Sequence, residues 1–298
     1  MHAINELNQK FGSAGRIAFR VSQSGMPVII LVTGHGSCEI SLDGGQVLSY
    51  RPMGHVPVLF NSRESAQEEG CPIRGGISLC WPWFGEPPSP ELPRHGFARL
   101  AQWNILSTEY DNKSSEVSLY LTDSDKTRDL WPHSFEIIQK ITLSDSLTIA
   151  VTTMNKGSEP FELSQSIHPY FKVRDIEKVS ISGVEKCEFT DFLTKERHIQ
   201  GGPLSIEKET YDIYSDTKNA CVIFDKGLGR NIAIKYSGMN KLIVWNPWIK
   251  KSIQLKDFGD TEYKNMLTVA PATLPAEKMI LQPGKKVTVE TSIQATLT

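Results

Sequence analysis

The chain has 298 residues, of which 39% are hydrophobic and 22% charged, as is typical of a folded globular protein and not of a disordered one. Its 32 Lys and Arg residues nearly balance 34 Asp and Glu residues, giving a formal net charge of −2. This balance argues against a dedicated nucleic-acid-binding protein or a polybasic membrane anchor, because both need a concentrated positive charge.

Alternation of apolar and polar residues begins near the amino terminus and predicts strands at Arg16–Ser22 and Val28–Thr33. A hairpin follows, because Cys38–Asp43 alternates, Gly44–Gly45 supplies the turn, and Val47–Tyr50 leads back. Further strands are predicted at Val117–Thr122, Phe135–Leu143, Leu147–Thr153, Phe161–Ile167, Val179–Gly183, Cys221–Asp225, Ile232–Tyr236, Leu242–Trp245 and Val287–Ile293.

Helices are predicted only in three short stretches, Ser62–Glu69, Asp125–Leu130 and Asp260–Leu267. Many short strands without long helices between them are typical of an antiparallel β-sandwich and not of a parallel α/β sheet. The sequence shows no internal repeat and no linker rich in Pro or Ser. We therefore expect an all-β fold, a large antiparallel β-sandwich with a few short helices, in one domain covering residues 1–298.

The cysteines and the amino terminus favour a reducing compartment. The five cysteines are scattered, and no two of them form a CxxC pair that would indicate a zinc or redox site. The first residues lack the pattern of a signal peptide, and the longest apolar run, Pro27–Val32, is far shorter than the ~20 residues of a membrane-spanning helix. We expect a cytoplasmic protein.

Two segments combine arginine with glycine and aromatic residues. In Ile73–Gly85, Arg74 precedes Gly75–Gly76, where the backbone can approach a ligand closely, although a tight turn with core aromatics is the alternative. Arg94–Arg99 adds His95 and two more guanidinium groups. Arginine suits bidentate phosphate recognition, so these segments together predict an anionic ligand, whereas each arginine alone is typical of a solvated surface.

Three further positions could contribute to a site. His168 ends a strand-like run before Pro169 and could exchange a proton near neutral pH, the alternative being a structural histidine. Asp212, which we expect in a polar loop, could accept hydrogen bonds from hydroxyl groups. Trp245–Trp248 could stack on a sugar ring or fill the core.

The absence of common motifs narrows the chemistry. The sequence contains no HExxH, Walker loop, GxGxxG or GxSxG motif, and its histidines do not have metal-ligand spacing. From its residues alone, the chain is expected to have an aromatic, arginine-bearing cleft with one acid–base histidine. A sugar phosphate is the natural ligand for such a cleft.

Taken together and in order, these segments resemble the glucose-6-phosphate 1-epimerase family (hexose-6-phosphate mutarotases) within the aldose 1-epimerase superfamily. The resemblance extends from about residue 16 to residue 293 and agrees with the family's supersandwich of antiparallel sheets. The segments that carry it are Arg74–Ile77, Cys80–Gly85, His95–Arg99, His168–Phe171, Glu209–Asp212, Val244–Trp248 and Asp257–Tyr263.

The resemblance implies interconversion of the α and β anomers of a hexose 6-phosphate by ring opening and reclosure, without a metal or organic cofactor. His168 would be the general acid acting on the ring oxygen. Arg74 and Arg99 would hold the phosphate, His95 would line the pocket, and Asp212 would bind sugar hydroxyl groups. The expected partner is this small molecule alone, without nucleic acid or membrane, and we expect a monomer.

One position departs from the family pattern. The resemblance places a catalytic glutamate in the segment that here reads Leu267–Pro271, so Ala270 stands where this base is expected. An alanine methyl group can neither accept nor donate a proton. Pro169, beside His168, also differs from the threonine common in the family and removes a hydrogen-bonding neighbour.

Three interpretations of Ala270 remain open. Asp212, another carboxylate or a bound water could act as the base of an active mutarotase; Glu262 and Glu277 are near in sequence but do not stand at the motif position. Alternatively, the chain keeps the sugar-phosphate pocket as a binding or regulatory module with little catalysis. The third interpretation is a substitution introduced into the natural sequence.

Overall fold

The computed structural model describes residues 2–22, 25–66 and 71–298, and most of its regular structure is antiparallel strand. The strands are β1 (Ile17–Val21), β2 (Pro27–Thr33), β3 (Gly36–Ser41), β4 (Val47–Pro52), β5 (Ile77–Cys80), β6 (Asn104–Tyr110), β7 (Ser115–Thr122), β8 (Phe135–Leu143), β9 (Leu147–Asn155), β10 (Phe161–Leu163), β11 (Gln165–Lys172), β12 (Val179–Ser182), β13 (Glu188–Asp191), β14 (Arg197–Ile199), β15 (Leu204–Ser205), β16 (Thr210–Ser215), β17 (Ala220–Asp225), β18 (Arg230–Ser237), β19 (Lys241–Asn246), β20 (Met266–Thr273), β21 (Met279–Leu281) and β22 (Lys286–Leu297). The α-helices are α1 (His2–Phe11), α2 (Asp125–Leu130) and α3 (Trp248–Gln254).

Two large sheets organise these strands. One has eleven strands in the order β1-β2-β3-β4-β5-β11-β20-β19-β16-β13-β14, and the other has nine in the order β15-β12-β17-β18-β22-β9-β8-β7-β6. A small sheet pairs β10 with β21. The prediction of an all-β, large antiparallel sandwich with a few short helices is confirmed.

The hydrophobic core lies between the two large sheets because each contributes one apolar face to it. Leu31 and Ile40 come from the eleven-stranded sheet, while Ile137 and Ile149 come from the nine-stranded sheet, and all four are buried. Burying each such side chain contributes about 1.5–3 kcal/mol. The period-two patterns of the sequence record this arrangement, since successive side chains of a strand face opposite sides of the sheet.

A buried arginine joins the sheets at one end. Arg230 of β18 donates hydrogen bonds to the carbonyl groups of Val56, Pro57 and Lys172, the last of these in β11. Its Nε lies 3.8 Å from Asp225, and both side chains are almost completely buried. One guanidinium group thus satisfies three carbonyls from chain segments that are distant in sequence.

The predicted helices are partly correct. Asp125–Leu130 is confirmed as α2, with Ser124 accepting a hydrogen bond from the Thr127 amide at its start. The helix predicted over Asp260–Leu267 is wrong, because this segment forms only a 3₁₀ turn at Glu262–Asn265 before β20 begins. Of Ser62–Glu69, residues 62–66 form turns and loop, and residues 67–69 lie outside the described residues.

The strand predictions are mostly confirmed, but the strands that turn out to carry the site were less visible in the sequence. Neither β5 nor β20 was predicted, because every residue of both strands is buried and alternation is lost. The single strand predicted over Phe161–Ile167 is divided between β10 in the small sheet and β11, which extends to Lys172, so His168 lies inside β11. In the described part of the chain, no helix is both long and apolar enough to cross a membrane.

Candidate active site

A cavity of about 370 Å³ opens on one face of the eleven-stranded sheet. It lies over the central strands β5, β11, β19 and β16 and is closed at the sides by the segments around Phe84, His95 and Leu255. Its volume falls within the ~300–1,000 Å³ usual for small-molecule sites. The lining side chains most relevant to chemistry are Arg74, Ser78, Arg94, His95, Arg99, His168, Tyr170, Glu209, Tyr211, Trp245, Lys251 and Asp257.

Strand register determines which side chains reach the cavity. His168 in β11 pairs with Ser78 in β5, and Tyr211 in β16 pairs with Trp245 in β19. All four line the cavity. Paired residues project from the same face of a sheet, so the central strands hold these side chains side by side on a rigid floor.

The turn that carries His95 packs back onto the segment at the end of β5. His95 has a left-handed backbone conformation (φ 63°), and its amide donates to the carbonyl of Gly85. Gly96 follows with φ 73°, and a Cβ on it would lie only 1.9 Å from the carbonyl oxygen of Trp81. Glycine is therefore required there, and the close approach fixes the position of the neighbouring imidazole.

The imidazoles of His95 and His168 face the same cavity with 6.5 Å between their ring centroids. Phe84 packs against both rings, at 5.1 Å from His95 and 6.0 Å from His168. The ring of Tyr170 stands edge-on to His168 at 5.4 Å. Of the aromatic residues in Ile73–Gly85, only Phe84 lines the cavity, whereas Trp81 and Trp83 lie in the hydrophobic core.

Hydrogen bonds hold both imidazoles in place. The Gly85 amide donates to Nδ1 of His95 over 3.1 Å. Nδ1 of His168 lies 3.4 Å from the hydroxyl oxygen of Ser166, and that hydroxyl donates to the carbonyl of Pro271 over 2.8 Å. Burial, followed by the nearby Arg99 guanidinium, lowers the pKa of His95 to about 2 and that of His168 to about 3. Both rings are therefore neutral at pH 7.

The two predicted phosphate-binding arginines both reach the cavity, but in different states. Arg74 is engaged, since its Nε and Nη2 donate to both carboxylate oxygens of Asp257 over 3.0 and 3.1 Å, and its Nη1 donates to the Tyr170 hydroxyl over 3.2 Å. Arg99 donates through Nη2 to the Arg94 carbonyl, whereas its buried Nε has no hydrogen-bond partner among the described residues. Arg99 thus has unused hydrogen-bonding capacity.

Asp212 lies on the other face of the sheet, which corrects the prediction of a polar loop and a sugar-binding carboxylate. It is inside β16 and pairs with the core residue Val244, whereas its neighbour Tyr211 pairs with Trp245 and lines the cavity. Burial, followed by the nearby charge of Asp191, raises the pKa of Asp212 to about 6. Adjacent residues of a strand face opposite sides, so Tyr211 holds the position that the sequence prediction gave to Asp212.

Ala270 lies across from His168. The pairs Ser166↔Ala272 and Tyr170↔Thr268 of β11 and β20 flank these two residues and place them opposite each other. Ala270 is completely buried and packs with Cys80, Phe84 and Ile243, and its strand partner Ile243 lines the cavity. A longer side chain at position 270 would therefore point to the side on which His168 lies.

Two carboxylates of the described chain line the cavity, and sequence reasoning gave neither of them a role. Asp257 is bound to Arg74, while Glu209 stands just before β16 at the far side of the floor. Glu262 accepts hydrogen bonds from the Arg63 and Gly259 amides, and Glu277 pairs with Lys241, so both are engaged elsewhere.

Tyr170 could have been found from the sequence, because it follows His168 by two residues and therefore shares its strand face. For Glu209 and Lys251, which come from loop and helix, the sequence holds no comparable signal. Within residues 2–22, 25–66 and 71–298, no group of three His, Cys, Asp or Glu side chains could hold a metal ion.

The chain is similar in sequence and fold to known proteins. A family model for aldose 1-epimerase matches residues 27–294. A Cenchrus ciliaris protein named "putative glucose-6-phosphate 1-epimerase" is 35% identical over 281 residues, covering 88% of this chain and 83% of that protein, and an Escherichia coli K12 protein of the same name is 32% identical over 247 residues, covering 82% of each. The crystal structure of a "putative mutarotase" from Salmonella typhimurium matches with a TM-score of 0.90 over 100% of both chains at 24% identity, and so has the same fold.

Proposed function

The chain belongs to the aldose 1-epimerase family, and we propose that it interconverts the α and β anomers of a hexose 6-phosphate, with glucose 6-phosphate as the first substrate to test. The names of its relatives in Cenchrus ciliaris and Escherichia coli support this substrate. The observation that carries the proposal is the convergence of Arg74, His95, Arg99 and His168 on one cavity of about 370 Å³.

The reaction needs little from the protein beyond proton transfer and positioning. Opening the ring breaks the bond between C1 and the ring oxygen, moves the hydroxyl proton of the anomeric carbon, and leaves an aldehyde. Rotation about the C1–C2 bond followed by reclosure gives the other anomer. A positioned proton donor or acceptor accelerates such a step by about 10²–10⁴-fold, and His168 is placed to take part.

The 6-phosphate is assigned to Arg99, with Arg74 and Lys251 nearby in the cavity wall. The Arg99 guanidinium group lines the cavity and can donate to a phosphate oxygen, and charge-assisted hydrogen bonds of this kind are stronger than neutral ones. Tyr211 and Trp245 offer aromatic surfaces for the sugar ring on the opposite part of the floor.

A binding or regulatory module is the second candidate, and Ala270 is the observation that favours it. In this case the protein would bind glucose 6-phosphate without accelerating anomer exchange.

Magnetization-exchange NMR between the two anomeric protons of glucose 6-phosphate separates the candidates. We expect exchange well above the spontaneous rate, scaling with protein concentration, and loss of that increase in His168→Gln. Exchange at the spontaneous rate, together with saturable binding in calorimetry, would contradict the enzyme and support the binding module.

A further inference from the structure

The hydrogen bonds of the two cavity histidines define which ring nitrogen carries the proton. Nδ1 of His95 accepts from the Gly85 amide, so the proton of the neutral ring is on Nε2. His95 therefore presents an N–H group to the cavity. It can donate a hydrogen bond there, but its uncharged ring has no nitrogen lone pair left to accept a proton from a ligand.

His168 has the opposite tautomer. The only hydroxyl proton of Ser166 is used by the hydrogen bond to the Pro271 carbonyl, so the contact between Ser166 and Nδ1 of His168 requires the proton to be on that nitrogen. The Nε2 atom of the neutral ring is then a free lone pair. Since Ser166 is completely buried, its hydroxyl group cannot bond to solvent in place of the Pro271 carbonyl or the His168 ring.

Resting on the proposed function, we infer that His168 acts alone as a proton shuttle, while the N–H group of His95 stabilises the ring oxygen of the sugar. The two rings lie 6.5 Å apart, so hydrogen bonds of about 2.8 Å from both can reach one hemiacetal group between them. The chemistry then needs no carboxylate at position 270.

The proton balance of this step is complete. Nε2 of His168 takes the proton of the C1 hydroxyl, and the electron pair of that O–H bond forms the carbonyl. The bond between C1 and the ring oxygen breaks, and its electron pair remains on the ring oxygen. His168 returns the same proton to that oxygen, which was bonded to C1 until this step and therefore still lies within reach of the same nitrogen. Reclosure after C1–C2 rotation is the reverse sequence.

The carboxylates in the cavity wall are poorly placed to act as the base instead. Both oxygens of Asp257 accept hydrogen bonds from Arg74. Across the sheet from His168, the residues in line are Ala270 in β20, Ile243 in β19 and Ile213 in β16. Glu209 lies four residues before Ile213 in the sequence. This puts Glu209 three strands from His168, ~14 Å across the sheet and ~13 Å along it.

The charges around His168 favour a neutral ring before substrate binds. Arg99 and Arg74 are the cations that lower its pKa, after the larger effect of burial. A bound phosphate dianion would offset these cations and make Nε2 a stronger base in the complex. The titratable and charged groups facing the site are Arg74, Arg94, His95, Arg99, Tyr170, Glu209, Tyr211, Lys251 and Asp257.

Nitrogen-15 NMR of the wild-type protein with labelled histidine tests the assignment directly, without reference to activity. Long-range proton–nitrogen correlations at pH 7 should show His168 with its proton on Nδ1 and His95 with its proton on Nε2. In Ser166→Ala, His168 should shift toward the Nε2 tautomer while His95 stays unchanged. A wild-type His168 protonated on Nε2 would overturn the shuttle.

Exchange kinetics with glucose 6-phosphate provide the second test. His168→Gln should lower the catalysed rate by about 10²-fold or more, His95→Ala by about 10-fold, and Glu209→Gln by less than threefold. A loss in Glu209→Gln as large as that in His168→Gln would overturn the shuttle alone. A wild-type protein with the assigned tautomers but no catalysed exchange would overturn the proposed function and the shuttle together.

Discussion

The alanine at position 270 places a methyl group across the strand pair from an imidazole, where a carboxylate would be in contact with it. Its neighbours Cys80, Phe84 and Ile243 leave it no exposure to solvent. An acid introduced there would be beside a neutral histidine and close to the proposed sugar site. A substitution at position 270 therefore allows a protein with an added base to be compared with one in which His168 is the proposed base, while the rest of the cavity floor stays the same.

Ala270→Glu should increase the anomer-exchange rate by about 10²-fold, because a second proton-transfer group then works with His168. In the wild-type protein the rate should fall only toward acidic pH. In the variant the plot of rate against pH should be bell-shaped, with the rate falling on both sides of an optimum. The free energy of unfolding should fall by about 1–3 kcal/mol, since a polar group enters a buried site.

Ala270→Gln is the matched control, because it has the same size without a titratable group. It should lose similar stability in urea denaturation and gain no rate. Equal exchange rates in Ala270→Glu and Ala270→Gln would contradict a role for position 270 in proton transfer.

Asp212 is a buried acid on the core side of the sheet, and its raised pKa predicts that it lowers the free energy of unfolding by an amount that depends on pH. The folded protein holds this proton up to pH about 6, whereas an unfolded aspartate loses it near 3.8. Ionising it in the folded state is therefore unfavourable above pH 6. Asp212→Asn should raise the free energy of unfolding by up to about 3 kcal/mol at pH 7.5, and this gain should shrink as the pH falls toward 4.

Urea denaturation at pH 7.5, 6 and 4.5 measures this difference. Asp129→Asn, on the exposed surface of α2, is the control and should change stability by less than about 0.5 kcal/mol at each pH. The lowered pKa values of His95 and His168 have the opposite effect, because they reduce the free energy of unfolding as the pH falls below 6.5. This effect is the same in the wild-type protein and both variants and therefore cancels in the comparison. A pH-independent effect of Asp212→Asn would contradict the raised pKa.

At single positions, the sequence was informative where a residue stands in a compact motif and ambiguous where it stands in a strand. Arg74, His95, Arg99 and His168 were all identified and all reach the cavity. Asp212 was not distinguished from Tyr211, because the side on which each faces depends on pairing with β19, a contact between segments about 30 residues apart.

At the level of elements, β19 joins the cavity floor to α3 through one buried amide. The side chain of Asn246 donates to the carbonyls of Tyr263 and Met266 over 2.8 and 2.7 Å and accepts from the Trp248 amide over 2.8 Å. It thus connects the end of β19, the start of α3 and the start of β20. Lys251, on α3, reaches the cavity from this support.

Asn246→Ala should lower the free energy of unfolding by about 2–4 kcal/mol, because it leaves two carbonyls and one amide without their partner. It should also raise KM for glucose 6-phosphate, since α3 loses its anchor. Asn104→Ala, at an exposed position of β6, is the control and should stay within about 0.5 kcal/mol in urea denaturation. Equal denaturation midpoints would contradict this role of Asn246.

The sequence predicted two regularly alternating strands well and missed two strands that are buried throughout. β8 and β9 alternate regularly between buried and partly exposed residues and were predicted almost to the residue. β5 and β20 are buried throughout, and they flank β11 at the site. Burial on both faces removes the alternation of apolar and polar residues by which a strand is predicted, so these two strands of the cavity floor could not be recognised.

At the scale of the molecule, a net charge of −2 coexists with a locally basic cavity. Four cationic side chains line it, against the two carboxylates of Glu209 and Asp257. The composition of the whole chain could not predict this excess, because it arises only when segments far apart in sequence are brought together. The sandwich architecture, in contrast, was predictable from the number and shortness of the strands.

Arg99→Ala should weaken binding of glucose 6-phosphate by about 10–100-fold and leave glucose unchanged, because a charged hydrogen bond is worth about 1.5–3 kcal/mol. Calorimetry with both sugars measures the difference. Arg94→Ala is the control from the same segment, since Arg94 is well exposed and already pairs with Glu86. Equal losses for glucose and glucose 6-phosphate in Arg99→Ala would contradict phosphate binding there.

Ser78, His168 and Ala270 occupy directly neighbouring positions on the adjoining strands β5, β11 and β20. The path of the backbone there is set by ladder hydrogen bonds and does not depend on which side chain a position carries. A glutamate codon becomes an alanine codon through a single nucleotide change. A lineage with this sheet can therefore gain or lose a carboxylate at this position in one mutational step and keep the backbone of the cavity floor.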